Sequence, residues 1–466
     1  MISSLLNCKV FTKLHQNLAE MIGKIEKNPQ LEMFKVPLKH FFKETHELVL
    51  LSKKINWEQL ESGLGIYYCE DNGRPCIPIR TIAGIVLLRR IFDESDESIL
   101  DRWVENPYWQ YFCGEVYFQH EPPFDRTELI KFRKRIGEKG SEQLLKISVQ
   151  LFPSKEVQED EVLLDTTVQE KNITFPTDVK LQKKIIEKCR KIADKEGIEL
   201  RQTYKRELKQ LMIDQRFHSH PKRKKKARAA ARRIKVITGR IVRDIDRKMD
   251  SGSKEKYAAL FSIFSKVLAQ EKNSRDKIYS IHQPHVKCIA KGKEAKKYEF
   301  GNKSSIVKTK KSGIIVGAMA FIENVYDGDT LLPQLEQTER ITEHKPKIGI
   351  VDRGYRGRKV INGVKIIIPA KLPASANNYQ KQKMRKRFRA RAGIEPIIGH
   401  LKQDHRMSRN YLLDEQGDLV NTLLAAAGFN LRKMLQRLKA EALNIFAEFI
   451  RRIFAPVWNL NICFEN

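Results

Sequence analysis

Two aspartates stand where short apolar strands are predicted to end. Asp165 follows the apolar run 162–164, and Asp352 follows the apolar run 348–351. Side chains at the ends of neighbouring strands gather into sites in open α/β sheets. Two such carboxylates placed side by side repel each other unless divalent cations bind between them. Two ions about 4 Å apart can activate an attacking oxygen and stabilise a leaving one. The residues by themselves leave an alternative open, in which each aspartate caps a turn.

A third group of charged residues follows closer to the C-terminus. Arg391 lies four residues before Glu395, and Lys402 lies seven residues after it. Offsets of four and seven return to nearly the same face of a helix. We predict one basic helix over 381–402, with a kink at Pro396 that would loosen this alignment. The pattern suits a metal-binding carboxylate flanked by cations that hold phosphates, and it equally suits an ordinary ion pair on a helix.

Composition points to a polyanionic partner. The chain has 466 residues, with 88 lysines and arginines against 57 acidic residues and a formal net charge of +31. Its length predicts two or three domains. Proteins that neutralise phosphates need such a charge, so nucleic acid is the leading partner and an anionic membrane surface the weaker alternative.

Localisation signals are sparse in the sequence. No apolar run approaches the roughly 18–20 residues of a membrane span, and residues 1–27 do not look like a signal peptide. The 7 scattered cysteines include no Cys-x-x-Cys pair. They predict neither a zinc ribbon nor a disulfide framework, but free thiols in a reducing cytoplasm. We therefore expect a cytoplasmic protein.

The predicted secondary structure that must position these residues changes along the chain. Residues 1–45 are predicted to be a helical lead-in. Residues 46–150 are predicted to hold short helices with a basic face that includes Arg133, which is typical of a small DNA-binding domain but also of an ordinary helical domain. Strands and helices then alternate, which predicts an α/β (α+β) fold. The expected strands are 161–168, 277–289, 298–307, 313–322, 347–352 and 365–369, and the later helices are 329–342 and 420–449.

A helical segment interrupts this alternation at about 181–275. It contains the dense basic run 222–248, in which Lys225 and Arg232 lie. A charge run is usually a solvated face, but here isoleucines at helical spacing keep an apolar seam. We therefore predict a folded basic helix with its seam at Ile234, Ile237, Ile241 and Ile245.

Several ordered motifs resemble one family, the DDE transposases of bacterial insertion sequences, specifically insertion-sequence family five, which is related to family four. Its Tyr-x2-Arg-x3-Glu-x6-Lys signature is matched at Arg391, Glu395 and Lys402, with Phe388 in the tyrosine position. Its two aspartate motifs match Leu164-Asp165-Thr166-Thr167 and Asp352-Arg353-Gly354-Tyr355-Arg356-Gly357. The resemblance covers roughly residues 40–435 and also includes the segments 71–75, 101–112, 132–135, 298–301, 327–329 and 421–430.

The resemblance implies a domain organisation. It implies a helical DNA-binding domain at 46–150 and a ribonuclease-H-like catalytic domain with a mixed sheet at 155–435. The basic helical segment at about 181–275 would be an insertion after the first strand. Residues 436–466 would form a C-terminal helical tail.

The resemblance also implies a reaction and its residues. Asp165, Asp352 and Glu395 would bind two Mg²⁺ or Mn²⁺ ions, so that water cleaves a phosphodiester at the element's end. The freed 3′-hydroxyl would then attack target DNA, while the 46–150 domain reads the terminal inverted repeats. Such a protein would work as a homo-oligomer, at least a dimer, on DNA in the bacterial nucleoid. The residues expected to contact DNA are Arg391, Lys402, Tyr355, Arg356, Arg387, Lys225, Arg232 and Arg133.

Three other functions fit parts of the sequence. A metal-dependent nuclease would use the same carboxylates but would not join strands. A non-catalytic DNA-binding protein derived from a transposase would have lost activity, although all three carboxylates are present. A basic RNA-binding protein would leave the carboxylate arrangement as a coincidence. An assay for strand transfer separates the first two from a transposase.

Overall fold

The computed structural model describes residues 37–68, 76–271, 273–290, 297–368 and 375–458. Most of the predicted lead-in and the motif at 71–75 lie outside these residues. The N-terminal part of the described chain is helical. Its helices are α1 (Glu47–Lys54), α2 (Trp57–Gly65), α3 (Ile79–Ile91), α4 (Ser98–Glu105), α5 (Pro107–Phe112), α6 (Arg126–Gln150) and α7 (Ser154–Val157).

α4 ends at Glu105, directly before Asn106, and the cause of the break is local. The Asn106 side chain accepts hydrogen bonds from the backbone N–H groups of Tyr108 (3.0 Å) and Trp109 (3.3 Å). Pro107 occupies the first turn of α5, where its missing N–H costs no hydrogen bond.

In the described part of the chain, one mixed sheet follows these helices. Its strands are β1 (Glu161–Lys171), β2 (Lys287–Ala290), β3 (Tyr298–Thr309), β4 (Ile315–Phe321), β5 (Ile348–Ile350), β6 (Val360–Ile361), β7 (Val364–Ile367) and β8 (Arg409–Asn410). The central strand β1 is antiparallel to β3 and parallel to β5 and β8. β5 continues in parallel to β7, while β2 and β4 pair antiparallel with β3. The predicted α/β class is confirmed.

The strand predicted at 277–289 is mostly wrong. Only Lys287–Ala290 forms a strand. The backbone N–H of Ile278 bonds to the side chain of Gln270 (3.0 Å) rather than to a strand, and Pro284 has no N–H to donate to a ladder.

Among the described residues between β1 and β2, four helices form an apolar core of their own. The isoleucine seam of the basic helix is buried, and the basic residues Lys225 and Arg232 face outward. The predicted folded basic helix is therefore confirmed. The four helices are α8 (Asp178–Lys195), α9 (Lys205–Gln215), α10 (Lys224–Lys248) and α11 (Ser251–Ala269).

The single helix predicted over 381–402 is wrong, because the chain forms two helices there. The C-terminal helices are α12 (Leu331–Thr342), α13 (Asn378–Ala392), α14 (Glu395–Asp404) and α15 (Asp414–Trp458). Gly393 caps the end of α13, and Pro396 stands in the first turn of α14. Proline is tolerated at that position, so the helix breaks before Pro396 rather than bending at it.

The N-terminal helices and the sheet share one hydrophobic core through α15. Gly428 on α15 lies against α3, and a Cβ atom there would stand 2.6 Å from the Cβ of Arg90. The buried guanidinium of Arg90 donates to the carbonyl of His405 (3.0 Å) and to the side chain of Asn421 (2.7 Å). A larger residue at 428 would separate the two helices. Within the described ranges, no helix is long and apolar enough to cross a bilayer.

The same junction predicts a dependence of stability on pH. His405 is buried and donates from Nδ1 to the carbonyl of Arg90 (2.8 Å). Burial lowers the pKa of His405 from its ordinary 6.5 to about 4. The unfolded chain therefore binds the proton first as pH falls. We expect the contribution of neutral His405 to the free energy of unfolding to be fully present above pH 6.5. The free energy of unfolding should then fall by about 3 kcal/mol as the pH drops towards 4.

The check is urea unfolding at several pH values for the wild type and for His405→Asn. Asparagine can still donate to the Arg90 carbonyl but does not titrate in this range. The variant should lose the part of the pH dependence between pH 4 and 6.5. Equal pH dependence in the two proteins would show that His405 is not the cause.

Candidate active site

Strand pairing brings the two aspartates together. β1 and β5 are parallel neighbours, and Leu163 pairs with Ile350. Asp165 and Asp352 each follow their paired residue by two positions. The prediction that a strand ends at Asp165 is wrong, because β1 continues to Lys171 in its pairing with β3, whereas β5 does end before Asp352. The two carboxylates therefore lie side by side at the same level of the sheet.

Each aspartate is oriented by a local hydrogen bond. Oδ1 of Asp165 accepts from the backbone N–H of Thr166 (2.9 Å). Oδ1 of Asp352 accepts from the backbone N–H of Gly354 (2.8 Å) and so caps the short 3₁₀ helix Arg353–Tyr355. The turn-capping alternative is thus correct for Asp352 but incomplete, because the Oδ2 atom of each aspartate faces a shared partner.

That partner is the guanidinium of Arg391. Its Nη2 atom contacts Oδ2 of Asp165 at 3.1 Å and Oδ2 of Asp352 at 3.5 Å, while Nη1 donates to Oε1 of Glu395 at 2.6 Å. Burial lowers the pKa of Arg391, but the charges of Asp165 and the other two carboxylates outweigh it and raise that pKa above its ordinary value. One cation thus holds three carboxylates together.

The break between α13 and α14 makes this contact possible. Arg391 lies in the last turn of α13, and Glu395 is the first residue of α14. The Glu395 side chain is 66% exposed, so it stands at the surface edge of the site, whereas Asp165 is nearly buried. Lys402 lies on the same helix as Glu395 and is half-buried.

The three carboxylates have the chemistry that a divalent cation needs. Carboxylate oxygens are the hard ligands that Mg²⁺ and Mn²⁺ prefer. A positive group already stands where a cation would interact with all three. In the part of the chain that the structure describes, no three acidic, histidine or cysteine side chains are already grouped as metal ligands. A cation at this position therefore requires the Arg391 guanidinium to move.

Two of the residues predicted to contact DNA are wrongly assigned. Arg133 is buried, and both ends of its guanidinium donate to Asp96, at 2.9 and 2.6 Å. Tyr355 is also buried, and its phenol lies within the electrostatic influence of Asp165, Asp327 and Asp352. Neither side chain reaches the surface. The sequence could not show this, because a basic or motif pattern does not specify which residues the apolar core will cover.

The other predicted DNA contacts lie at the surface or close to it. Arg356, Lys225 and Arg232 are exposed. Arg387 lies on α13, 3.7 Å from the carboxylate of Glu161. None of the fifteen positions of α13 is buried, and its basic side chains project from a helix that leads directly to Arg391.

Sequence reasoning gave no role to three residues that border the site. Thr166 follows Asp165, and its hydroxyl donates to Oδ1 of Asp327 (2.9 Å). Lys303 donates to the same oxygen (2.9 Å). The 327–329 segment is one of the motifs in the family resemblance, so a signal was present for Asp327, but Lys303 stands in no such motif.

Comparison with known proteins identifies two family models on the chain. Residues 36–135 match "Transposase domain (DUF772)", and residues 237–431 match "Transposase DDE domain". The second match contains Asp352 and Glu395 but begins after Asp165. An uncharacterised protein of Rhizobium meliloti, ORF8 in the nfe locus, is 39% identical over 193 residues, which are 41% of this chain and 93% of that protein. No solved structure matches the chain.

These matches agree with the geometry of the site. The DDE domain is ribonuclease-H-like, and its family cleaves DNA, transfers strands and generally uses divalent metal ions. The convergence of carboxylates from two adjacent strands and a following helix is the arrangement such chemistry needs. The chain belongs to the DDE transposases of insertion sequences.

Proposed function

We propose that Asp165, Asp352 and Glu395 are the catalytic carboxylates of this transposase and that they bind two Mg²⁺ or Mn²⁺ ions. The observation that carries this proposal is their convergence on the one guanidinium of Arg391. The protein would bind the terminal inverted repeats of its own element as a dimer, and the motifs resemble insertion-sequence family five. Its DNA partner places it in the bacterial cytoplasm, at the nucleoid.

Each residue has a distinct task in the proposed reaction. When bound, the ions supply positive charge that stabilises the oxygen which attacks phosphorus and the oxygen which leaves it. Asp165 and Asp352 would hold these ions through the carboxylate oxygens that now face Arg391, and Glu395 would add a third carboxylate from α14. Arg391, once released from the carboxylates, pairs with a phosphate oxygen of the DNA. Lys402 on α14 binds the sugar-phosphate backbone of the DNA nearby.

The proposed reaction has two steps, cleavage at the element's end and joining of that end to target DNA. In the first step, an oxygen of water bonds to phosphorus at the element's end, and the bond from phosphorus to the 3′-oxygen breaks. The proton of water is lost and the freed oxygen becomes a 3′-hydroxyl. In the second step, that hydroxyl attacks a phosphorus of target DNA and displaces another 3′-oxygen. The same carboxylates serve both steps because both transfer a phosphoryl group between oxygens.

Two exposed basic helices would carry the DNA to this site. α10 presents Lys225 and Arg232 on its outer face, and α13 presents Arg385, Lys386 and Arg389. Arg387 on the same helix is largely covered beside Glu161 and would have to leave this contact to reach DNA. Such contacts go to phosphates and therefore hold the duplex without reading its sequence. Arg356, beside Asp352, would contact the strand at the site itself.

Removing two charges from α10 should weaken DNA binding in a salt-dependent way. The double variant Lys225→Gln with Arg232→Gln is expected to lower the slope of log affinity against log salt concentration by about two, one for each lost phosphate contact. Fluorescence anisotropy with a random duplex at several salt concentrations measures this slope. The matched control, Lys345→Gln with Lys347→Gln, removes the same charge at the opposite end of β5 from Asp352. Equal slopes for the two double variants would contradict the assignment of α10.

The experiment that tests the proposed function is strand transfer in vitro. Purified protein is mixed with labelled DNA carrying the element's ends, a target plasmid and Mg²⁺ or Mn²⁺. Joined product supports the proposal. Cleavage without joining would identify a nuclease, and binding without either, in folded protein, would identify a DNA-binding relic.

A further inference from the structure

A fourth carboxylate, Asp327, lies beside the proposed catalytic centre. It begins the short 3₁₀ helix Asp327–Thr330, between β4 and α12. Its Oδ1 atom accepts from the hydroxyl of Thr166 (2.9 Å) and from Nζ of Lys303 (2.9 Å). Lys303 also donates to the carbonyl of Val325 (2.7 Å). Asp327, in the segment after β4, therefore connects Thr166 on β1 with Lys303 on β3. Thr166 is the residue that follows Asp165.

The second oxygen of Asp327 faces the turn that orients Asp352. A Cβ atom built on Gly354 would stand 3.0 Å from Oδ2 of Asp327 and 3.0 Å from Oδ1 of Asp352. Gly354 thus fits between two carboxylates because it has no side chain. Burial, and then the charges of Asp165 and Asp327, raise the pKa of the Tyr355 phenol well above its ordinary value, so this group stays protonated among the carboxylates.

The charge of Asp327 is balanced where it stands. Lys303 is largely covered, with 13% of its side chain exposed, and its ammonium contacts the oxygen that also receives the Thr166 hydroxyl. A neutralised carboxylate can accept hydrogen bonds without adding repulsion to two nearby aspartates. Asp329, two residues later, is exposed and pairs with Arg358 (2.6 Å), away from these contacts.

We infer that Asp327, held by Lys303, is a positioning residue that fixes Asp165 and Asp352 relative to each other for a divalent cation. Thr166 transmits its effect to Asp165, and the Gly354 turn transmits it to Asp352. This inference rests on the proposed metal centre. Carboxylates that orient metal ligands typically contribute 10- to 100-fold to metal affinity.

The test measures Mn²⁺ binding in the DNA-free protein, by electron paramagnetic resonance of the remaining free ion. Asp327→Ala and Thr166→Val are each expected to weaken binding about 10- to 100-fold. Thr166→Ser keeps the hydroxyl and should bind Mn²⁺ like the wild type. Asp329→Ala removes a carboxylate from the same 3₁₀ helix and should also bind like the wild type. The Asp165→Asn, Asp352→Asn double variant defines binding outside the centre.

The outcomes separate the two proposals. Weakened binding in Asp327→Ala and Thr166→Val, with normal binding in Thr166→Ser, supports the inference. Thr166 variants change few atoms, so they decide the question even if Asp327→Ala folds poorly. Wild-type affinity in Thr166→Val overturns the positioning role and leaves the metal centre standing. Equal binding by the wild type and the double variant overturns the metal centre and the inference with it.

Discussion

Replacing Glu395 by glutamine is expected to abolish strand transfer, with a loss of rate on the order of 10³-fold or more. Glutamine keeps the size of the side chain but removes the negative charge that a divalent cation requires from α14. A loss of about 4 kcal/mol in stabilisation of the transition state corresponds to this factor. The measurement is joined product per unit time in the strand-transfer assay.

The fold should tolerate this substitution. The Glu395 side chain is 66% exposed, and its ion pair with Arg391 is near the surface. Such pairs contribute about 0–1 kcal/mol to stability. Circular dichroism and the affinity for the element's ends should therefore be close to those of the wild type, so that lost activity reports on chemistry.

The matched control is Asp404→Asn on the same helix. Asp404 lies at the other end of α14 and pairs with His400 (2.8 Å) rather than with Arg391. This variant should join strands at a rate within about twofold of the wild type, as expected for loss of a surface ion pair. Full strand transfer by Glu395→Gln would remove Glu395 from the catalytic set.

Replacing Asp418 by alanine should destabilise the protein by about 3–5 kcal/mol, because it leaves a buried ammonium without its counter-charge. The Asp418 carboxylate is 2% exposed and contacts Nζ of Lys171 at 2.6 Å. It also accepts from Asn302 (2.6 Å) and Asn410 (2.5 Å) and lies 3.0 Å from Nε2 of His285. Burial lowers the pKa of Lys171, and the charge of Asp418 partly restores it.

Urea unfolding followed by circular dichroism measures this loss. The double variant Lys171→Met with Asp418→Leu removes both charges and should be more stable than Asp418→Ala, since a buried ion pair can often be replaced by apolar residues of similar volume. It should stay below the wild type, because the buried amides of Asn302 and Asn410 still lose their acceptor. If Asp418→Ala is as stable as the wild type, the ion pair does not stabilise the packing of β1 on α15.

Local patterns in the sequence predicted much of the architecture. The apolar run before Asp165 and the one before Asp352 became adjacent parallel strands, and the isoleucine seam of 222–248 became the buried face of a helix. These predictions were confirmed because the periodicity of apolar residues is decided mainly by which face a segment buries.

Other features depended on contacts between distant segments. The basic pattern around Arg133 could not reveal that Asp96 and an apolar core cover its side chain. Tyr355 belongs to the motif at 352–357 and was predicted to contact DNA, but its side chain is buried. The helix predicted over 381–402 broke at Gly393, and that break decides where Arg391 points.

The sequence by itself determined the residue types of the proposed site, the mixed α/β class and the strongly basic character of α10 and α13. Only the tertiary structure decided that Arg391 joins three carboxylates and that Asp327 and Lys303 stand beside them. The reason is physical. Strand and helix periodicity is encoded within a window of about a dozen residues, whereas Asp165, Lys303, Asp327 and Arg391 become neighbours only through strand order and helix packing.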